Sequence, residues 1–259
     1  RYFVPHALQS GTVVIDNSAA YRLEQDIPLV VPEVNVEDIK GHRGLVATPN
    51  SITIKLAVAL HPLHKANPIK RIVLSTYQSV SGTNTIAIEE LTVQAKQVLE
   101  GEAAIPHIYP HQIAFNVLPH VDSFLDTGYT KEEMKLENEG RKIMHHPKFR
   151  ASVTCVRVPV YRAHSVAVSA EFEKPVTLEA ARAVLRQAHG LDVVDDPAMK
   201  VYPMPLFAAE KHNCEVGRLR LDCALENGLC FWVCGDQLLK GAALNAVQIA
   251  EVLVRQGAH

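Results

Sequence analysis

The sequence predicts an α/β protein in two parts, and three observations lead there. Three short apolar runs near the start, "TVVID" (12–16), "PLVV" (28–31) and "GLVA" (44–47), read as buried strands of a mainly parallel sheet. Longer segments beyond residue 70 alternate apolar and polar residues, the pattern of a mixed or antiparallel sheet with helices on one face. Helical periodicity separates and follows these strands.

The elements follow in order. Tyr2, Phe3, Ala7 and Leu8 stand at helical spacing, so a helix is predicted at the very start. With no methionine at position 1, that start is read as the interior of a longer chain. The three apolar runs come next, and no GxGxxG or GxxGxxG occurs in the first fifty residues. A doubly wound dinucleotide domain places such a turn after its first strand, so these runs are expected to be the later part of an incomplete Rossmann-like nucleotide domain. A helix is predicted over 51–63, with Ile52, Leu56, Ala59 and Leu60 on one face and Pro62 near its end.

The strand "RIVLSTY" (71–77) follows, then a helix at 85–101 closed by Gly101 and another at 130–144 opened by Thr130 and Glu133 at capping-box spacing. "ASVTCVRVPVYR" (151–162) and "SVAVSAEFE" (165–173) are paired strands, and "RLRLDCAL" with "LCFWVCG" flank the hairpin signal Asn227-Gly228. An amphipathic helix over 240–257 offers Ala243, Val247, Ile249, Ala250 and Leu253 for burial. The expected division is 1–50, rejoined by 240–259, and an α+β domain with a mixed sheet over 51–239.

A hydrophobic fraction of 47% and a net charge of -2 give no basic stripe for nucleic acid and fit a metabolite-binding protein. No apolar run approaches the roughly 18 residues of a membrane helix. Five cysteines without a CxxC pair are expected to be reduced, buried thiols of a cytoplasmic protein. The pairs His61/His64, His107/His111 and His145/His146 have spacings that could bind a metal, but no third ligand is fixed and no metal site is proposed.

Several residues carry chemistry on their own terms. Arg157 lies among Val and Pro on a strand, where five fixed donors suit either a structural ion pair or a carboxylate clamp. His164 follows at the turn, either packed or an acid/base group. Glu132 and Lys135 share a helix face, as a surface pair or as two ligand contacts. Gln78 ends a strand in a polar, glycine-containing loop, where ligand groups and plain turns look alike.

Taken together, "VVIDNSAAYR", "PLVVPEVN", "RIVLSTYQSVSG", "YTKEEMKLENEGRKI", "TCVRVPVYRAHSVAVSAEFE" and "KGAALNAVQIAE" resemble, in order, blocks of the aspartate-β-semialdehyde dehydrogenase family. The resemblance implies reductive dephosphorylation of β-aspartyl phosphate by NADPH in lysine, threonine and methionine biosynthesis, through a thioester on a cysteine in an N-P-N-C-S-T-I-Q block. It implies that 51–239 is a catalytic and dimerisation domain of a homodimer. By resemblance His164 is the acid/base, Arg157 clamps the α-carboxylate, Glu132 faces the amino group, Lys135 and Arg22 bind phosphate, Gln78 orients the acyl-enzyme, and Asn50 belongs to the substrate-binding loop.

Two departures stand out. The block reads Thr48-Pro49-Asn50-Ser51-Ile52-Thr53-Ile54-Lys55, with Ser51 in the nucleophile's place. A hydroxyl is a far weaker nucleophile than a thiol beside a histidine. The glycine turn that would cradle the cofactor phosphates is also missing, so this stretch alone is expected to hold NADP weakly. A cysteine-less paralogue acting as a binding or dimerisation partner is the alternative. A related N-acetyl-glutamyl-phosphate reductase is opposed by Glu132, which would have no ammonium to pair.

Overall fold

The computed structural model describes residues 1–257. Helix α1 (Phe3–Gln9) leads into strand β1 (Val14–Asp16), helix α2 (Pro32–Asn35) and strand β2 (Leu45–Ala47). The central helix α3 (Ser51–Ala66) precedes β3 (Ile69–Gln78), α4 (Thr85–Leu99), α5 (Lys131–Ile143), β4 (Ala151–Arg157) and β5 (His164–Phe172). Then come α6 (Leu178–Arg186), β6 (Leu191–Val193), α7 (Pro205–Ala208), β7 (Cys214–Leu221), β8 (Gly228–Gly235) and α8 (Leu244–Arg255). No helix among the described residues is long and apolar enough to cross a membrane.

Strands β1 and β2 pair in parallel, and a six-stranded mixed sheet runs in the order β4-β3-β5-β8-β7-β6. The β3–β4 and β6–β7 pairs are parallel and the other three antiparallel. Helix α3 lies on the inner face of this sheet. Nearly every side chain from Ile52 to Leu60 is buried, so the one-faced helix expected from sequence is instead a core helix apolar almost all round. The helix also passes through Pro62 and ends at Ala66. On the opposite face of the sheet Val73 is exposed, and the rings of Tyr77 and Trp232 meet at 5.1 Å.

Four expectations are corrected. "PLVV" is not a full strand: Leu29 forms a single bridge to Ala47 before Pro32 starts α2, because proline fixes a helical φ and suits a first turn. Tyr2, which precedes α1, and Phe3, its first residue, are exposed rather than packed. The β7–β8 connection is a loop over 222–227, in which the Asp222 carboxylate accepts the N–H groups of Ala224 and Leu225, and not a two-residue turn. The C-terminal helix begins with a π-type turn, Leu239–Ala243. Along it Val247 is exposed, Asn245 is buried, and Ile249 with Leu253 packs against Val30, Ile39 and Val46.

Helices α3 and α5 end beside each other at a histidine cluster. The rings of His64 and His146 stack 4.8 Å apart, and His64 Nδ1 accepts the Ile69 N–H at 3.0 Å. Burial, followed by neighbouring cationic groups, holds His61 and His64 below the ordinary histidine pKa. The unfolded chain therefore binds more protons than the folded one. Stability is kept above the unfolded value of about 6.5 and lost as pH falls from there toward the folded pKa values. Denaturant midpoints should accordingly drop between about pH 7.5 and 5.5, and His64→Gln should flatten that slope. An unchanged slope in the variant would remove this role.

Candidate active site

The site begins where β2 passes into α3. Thr48 donates its N–H to the Asp16 carbonyl at 2.8 Å and its hydroxyl meets Asn17 Oδ1, which anchors the loop to β1. Asn50 is the helix N-cap: its side-chain oxygen accepts the N–H of Ile52 at 2.8 Å and of Thr53 at 3.4 Å. A cap of this kind contributes about 1 kcal/mol. It makes Ser51 the first residue of α3, at the end of the helix where developing negative charge is favoured.

The remaining polar groups of Asn50 face α5. Its Nδ2 donates to Glu132 Oε1 at 2.9 Å, and its backbone N–H donates to Glu139 Oε2 at 2.7 Å. Glu132 also receives Lys135 Nζ at 3.1 Å, with Gln78 Nε2 at 3.5 Å. Lys135 is shared with Asp122 at 2.7 Å. Burial works to lower its pKa, but the Asp122 hydrogen bond and Glu132 carry it above the ordinary lysine value.

Glu139 takes Arg22 NH1 at 3.2 Å, and Arg22 NH2 donates to the Asn17 carbonyl at 3.0 Å, leaving a buried Nε without a partner among the described residues. Burial raises the Glu139 pKa against the opposing pull of Arg22 and the Asn50 N–H. Glu139→Ala would strand Arg22 as an uncompensated buried cation, so a loss of about 3–5 kcal/mol in urea unfolding is expected. A loss below about 1 kcal/mol, the scale of an exposed pair, would show that this pair holds nothing together.

Gln78, Arg157 and His164 share one row across the sheet because of its register. Gln78 pairs with Arg157, and His164 is the next residue out from Ser165, which pairs with Tyr77. All three side chains are buried on the inner face. The Arg157 backbone is pinned on its other edge by paired hydrogen bonds to Leu118. Its guanidinium donates from NH1 to the Ser79 carbonyl at 2.7 Å and lies 5.9 Å from the Tyr109 ring centre. No carboxylate among the described residues forms an ion pair with it. Burial lowers its pKa.

His164 Nδ1 accepts the Ser79 N–H at 3.0 Å and lies 2.9 Å from the Ser79 hydroxyl. A backbone N–H can only donate, so the neutral ring carries its proton on Nε2. Burial first, then Lys55 and Arg157, hold the His164 pKa well below the usual value, so the ring is neutral. Gly82 makes room for it: a Cβ there would stand 2.7 Å from His164 Nε2 and 3.1 Å from Arg157 NH1.

The two groups of residues meet at Gln78 and again at Lys55. Lys55 is fully buried one turn after Ser51, with Nζ donating to the Ser51 carbonyl at 2.9 Å. Its stem passes Gly235, the strand partner of His164. Gly241 closes the far side, since a Cβ there would lie 3.0 Å from both Lys55 Nζ and Ser51 Cβ. The buried Cys155, Cys214 and Cys234 offer no substitute nucleophile. Burial pushes the thiols of Cys155 and Cys234 up to about 12 and that of Cys214 to about 11, and Cys223 is exposed. A broad groove lined by Ile27, Arg43, Arg141 and His145 contains none of these residues.

Thus Asn50, Glu132, Lys135, Gln78, Glu139 and Arg22 are joined by one chain of hydrogen bonds, Ser51 follows Asn50 at the head of α3 and is tied to Lys55, and Arg157 and His164 adjoin them across the strand ends. Sequence reasoning missed Glu139, Ser79, Asp122 and any role for Lys55. Glu139 had a signal, standing two helical turns from Glu132 on one face of α5. Ser79 lies in the polar loop that follows Gln78, where ligand groups and plain turns look alike, and Asp122, outside the regular elements, had no signal.

Residues 60–240 match the family model described as semialdehyde dehydrogenase, dimerisation domain, and residues 1–42 match semialdehyde dehydrogenase, NAD binding domain. The chain is 50% identical over 260 residues to the aspartate-semialdehyde dehydrogenase of Aquifex aeolicus, covering 99% of this chain and 76% of that one. It is 47% identical over 249 residues to that of Synechocystis, covering 96% and 74%. Among solved structures it resembles aspartate semialdehyde dehydrogenase II of Vibrio cholerae, with a TM-score of 0.95, 44% identity and coverage of 98% and 76%. The same protein complexed with ASA gives 0.94 and 44%, covering 98% and 75%.

Proposed function

Because the chain belongs to the aspartate-semialdehyde dehydrogenase family, we propose that this pocket binds β-aspartyl phosphate and aspartate semialdehyde and performs acyl transfer at Ser51 within the family's reaction. That reaction is the NADP-linked reductive dephosphorylation of the acyl phosphate to the aldehyde in amino-acid biosynthesis. The observation that carries the reading is Arg157, a buried guanidinium with no carboxylate partner among the described residues. A buried cation left without a counter-charge is expensive, and a bound α-carboxylate supplies one with bidentate geometry.

The other groups fit the rest of the ligand. Glu132, tied to Asn50, faces the ammonium. Lys135, and Arg22 through its unspent Nε, serve the phosphate. Gln78, between Glu132 and Thr76, orients the acyl group. His164 donates from Nε2 to the oxyanion that forms when the carbonyl carbon is attacked.

Among residues 1–257 no glycine-rich turn joins a strand to a helix N-terminus in the way that cradles a dinucleotide pyrophosphate. The residues described here therefore do not form the cofactor's phosphate site, and the chemistry assigned to them is substrate binding and acyl transfer. The nucleotide layer is 1–50 with α8, and 51–239 is the catalytic and dimerisation domain. Its open sheet face around Val73, Tyr77 and Trp232 is where a second copy would sit.

Calorimetric titration tests the reading. Aspartate semialdehyde should bind, and its N-acetylated form should bind at least about tenfold more weakly because Glu132 loses its ammonium partner. Equal affinity for the two would overturn the assignment of Glu132, and no binding of either would overturn the substrate.

A further inference from the structure

We propose that Ser51 and Lys55 form a nucleophile–base pair that hydrolyses acyl phosphates at this site without any nicotinamide cofactor. The inference rests on the substrate reading above and adds an activity to it.

Its first ground is that His164 cannot take the proton of Ser51. Nδ1 accepts the Ser79 backbone N–H, so the neutral ring presents an N–H, and not a lone pair, at Nε2. The second is the position of Lys55. Its Nζ and the Ser51 Cβ flank the same point beside Gly241, and its one hydrogen bond among the described residues is to the Ser51 carbonyl. Rotation of the serine side chain, or one bridging water, brings the hydroxyl within proton-transfer reach of the amine.

The third ground is charge. Cys214 and Cys234 on the adjoining strands, Asp236 beyond β8, Glu132 on α5 and His164 on β5 surround the amine. Asp236 is already paired with Arg162, and Glu132 with Lys135. The buried thiols remain protonated, so among the described residues no anion is committed to Lys55. Burial lowers its pKa to about 8, which leaves a sizeable neutral fraction near physiological pH. Serine with a lysine base is an established form of nucleophilic catalysis.

The steps balance without an oxidant or reductant. Neutral Lys55 takes the hydroxyl proton as Ser51 Oγ attacks the carbonyl carbon, and the carbon–oxygen bond to phosphate breaks with its electron pair leaving on the phosphate. The product is an oxyester on Ser51. Lys55, having passed its proton to the departing phosphate or to solvent, then deprotonates a water that attacks the ester. The Ser51 oxygen leaves and is reprotonated. The sum is acyl phosphate plus water giving carboxylate and inorganic phosphate. An oxyester accepts hydride less readily than a thioester, which favours water as its acceptor.

The experiment follows inorganic phosphate released from synthetic β-aspartyl phosphate by the full-length protein without NADP, with intact-mass detection of an aspartyl group on Ser51. Release should rise with pH through about 8, as expected for a base that must be unprotonated. Ser51→Ala should abolish it. Lys55→Gln should lower the rate about 10²–10⁴-fold, with KM unchanged and the pH limb lost. The wild-type pH limb and the Ser51 adduct test the pair even if Lys55→Gln folds poorly. Release that survives Ser51→Ala, or a limb that survives Lys55→Gln, overturns the inference. Calorimetric binding of aspartate semialdehyde without phosphate release overturns it alone, whereas absence of binding overturns the substrate reading and this inference together.

Discussion

Replacing Ser51 by cysteine is expected to raise phosphate-dependent reduction of NADP with aspartate semialdehyde by several orders of magnitude in the full-length protein. The reason is local to the head of α3. A thiol at a helix N-terminus beside a buried ammonium ionises far more readily than a hydroxyl, and its acyl derivative passes to and from hydride donors more easily. Lys55, one turn on, provides that ammonium and would stabilise the thiolate as a pair. In the Ser51→Cys background His164→Ala should lower kcat by about 10²–10³-fold, the usual effect of removing one oxyanion donor. Stopped assays with calorimetric binding controls separate the outcomes. If the cysteine variant binds phosphate and semialdehyde normally yet stays inactive, the neighbouring Thr48, Ile52 or Lys55 has reshaped the loop beyond rescue.

The second large effect concerns Arg157. Truncating one member of a buried, hydrogen-bonded charge pair costs about 2–5 kcal/mol in binding, or some 30-fold to several thousandfold in Kd. Arg157→Ala should weaken aspartate semialdehyde by that range. Arg157→Lys should recover little, because an ammonium cannot reproduce a bidentate grip. Protein stability should move the other way or stay level, since the variant removes a buried cation that has no carboxylate partner among the described residues. A variant that folds and binds with unchanged Kd would show that the α-carboxylate goes elsewhere. In that case the free Nε of Arg22 would be the next cation to test.

Much of this was legible in the residues because local pattern and tertiary role agree. The strands β3 and β4 show their alternation openly, since one face is buried and the other more open, whereas β5 and β8 are buried on both faces. Thr130 and Glu133 announce the start of α5, and both halves of that capping box are present. Where roles depend on neighbours distant in sequence, the pattern falls silent. "PLVV" is as apolar as a strand because it is buried, yet Pro32 bends it into α2 after one bridge. Lys55 lies off the apolar face expected of the helix over 51–63, but α3 lies inside the molecule and its lysine is fully enclosed. Which nitrogen of His164 carries the proton depends on the Ser79 N–H, and no property of the histidine's own segment announces that contact.

The single row formed by Gln78, Arg157 and His164 has a kinetic meaning. These residues meet only when β3 has closed on β4 across the whole of α4 and α5, and on β5 beyond them. Loops of that length close slowly and must close before their contacts repay the entropy. Because strand side chains alternate faces, a slip of one residue at either pairing would turn part of the row to the outer surface. Affinity for the aspartyl ligand during refolding would therefore mark the arrival of the correctly registered sheet, and a misregistered sheet could regain secondary structure while leaving the ligand unbound.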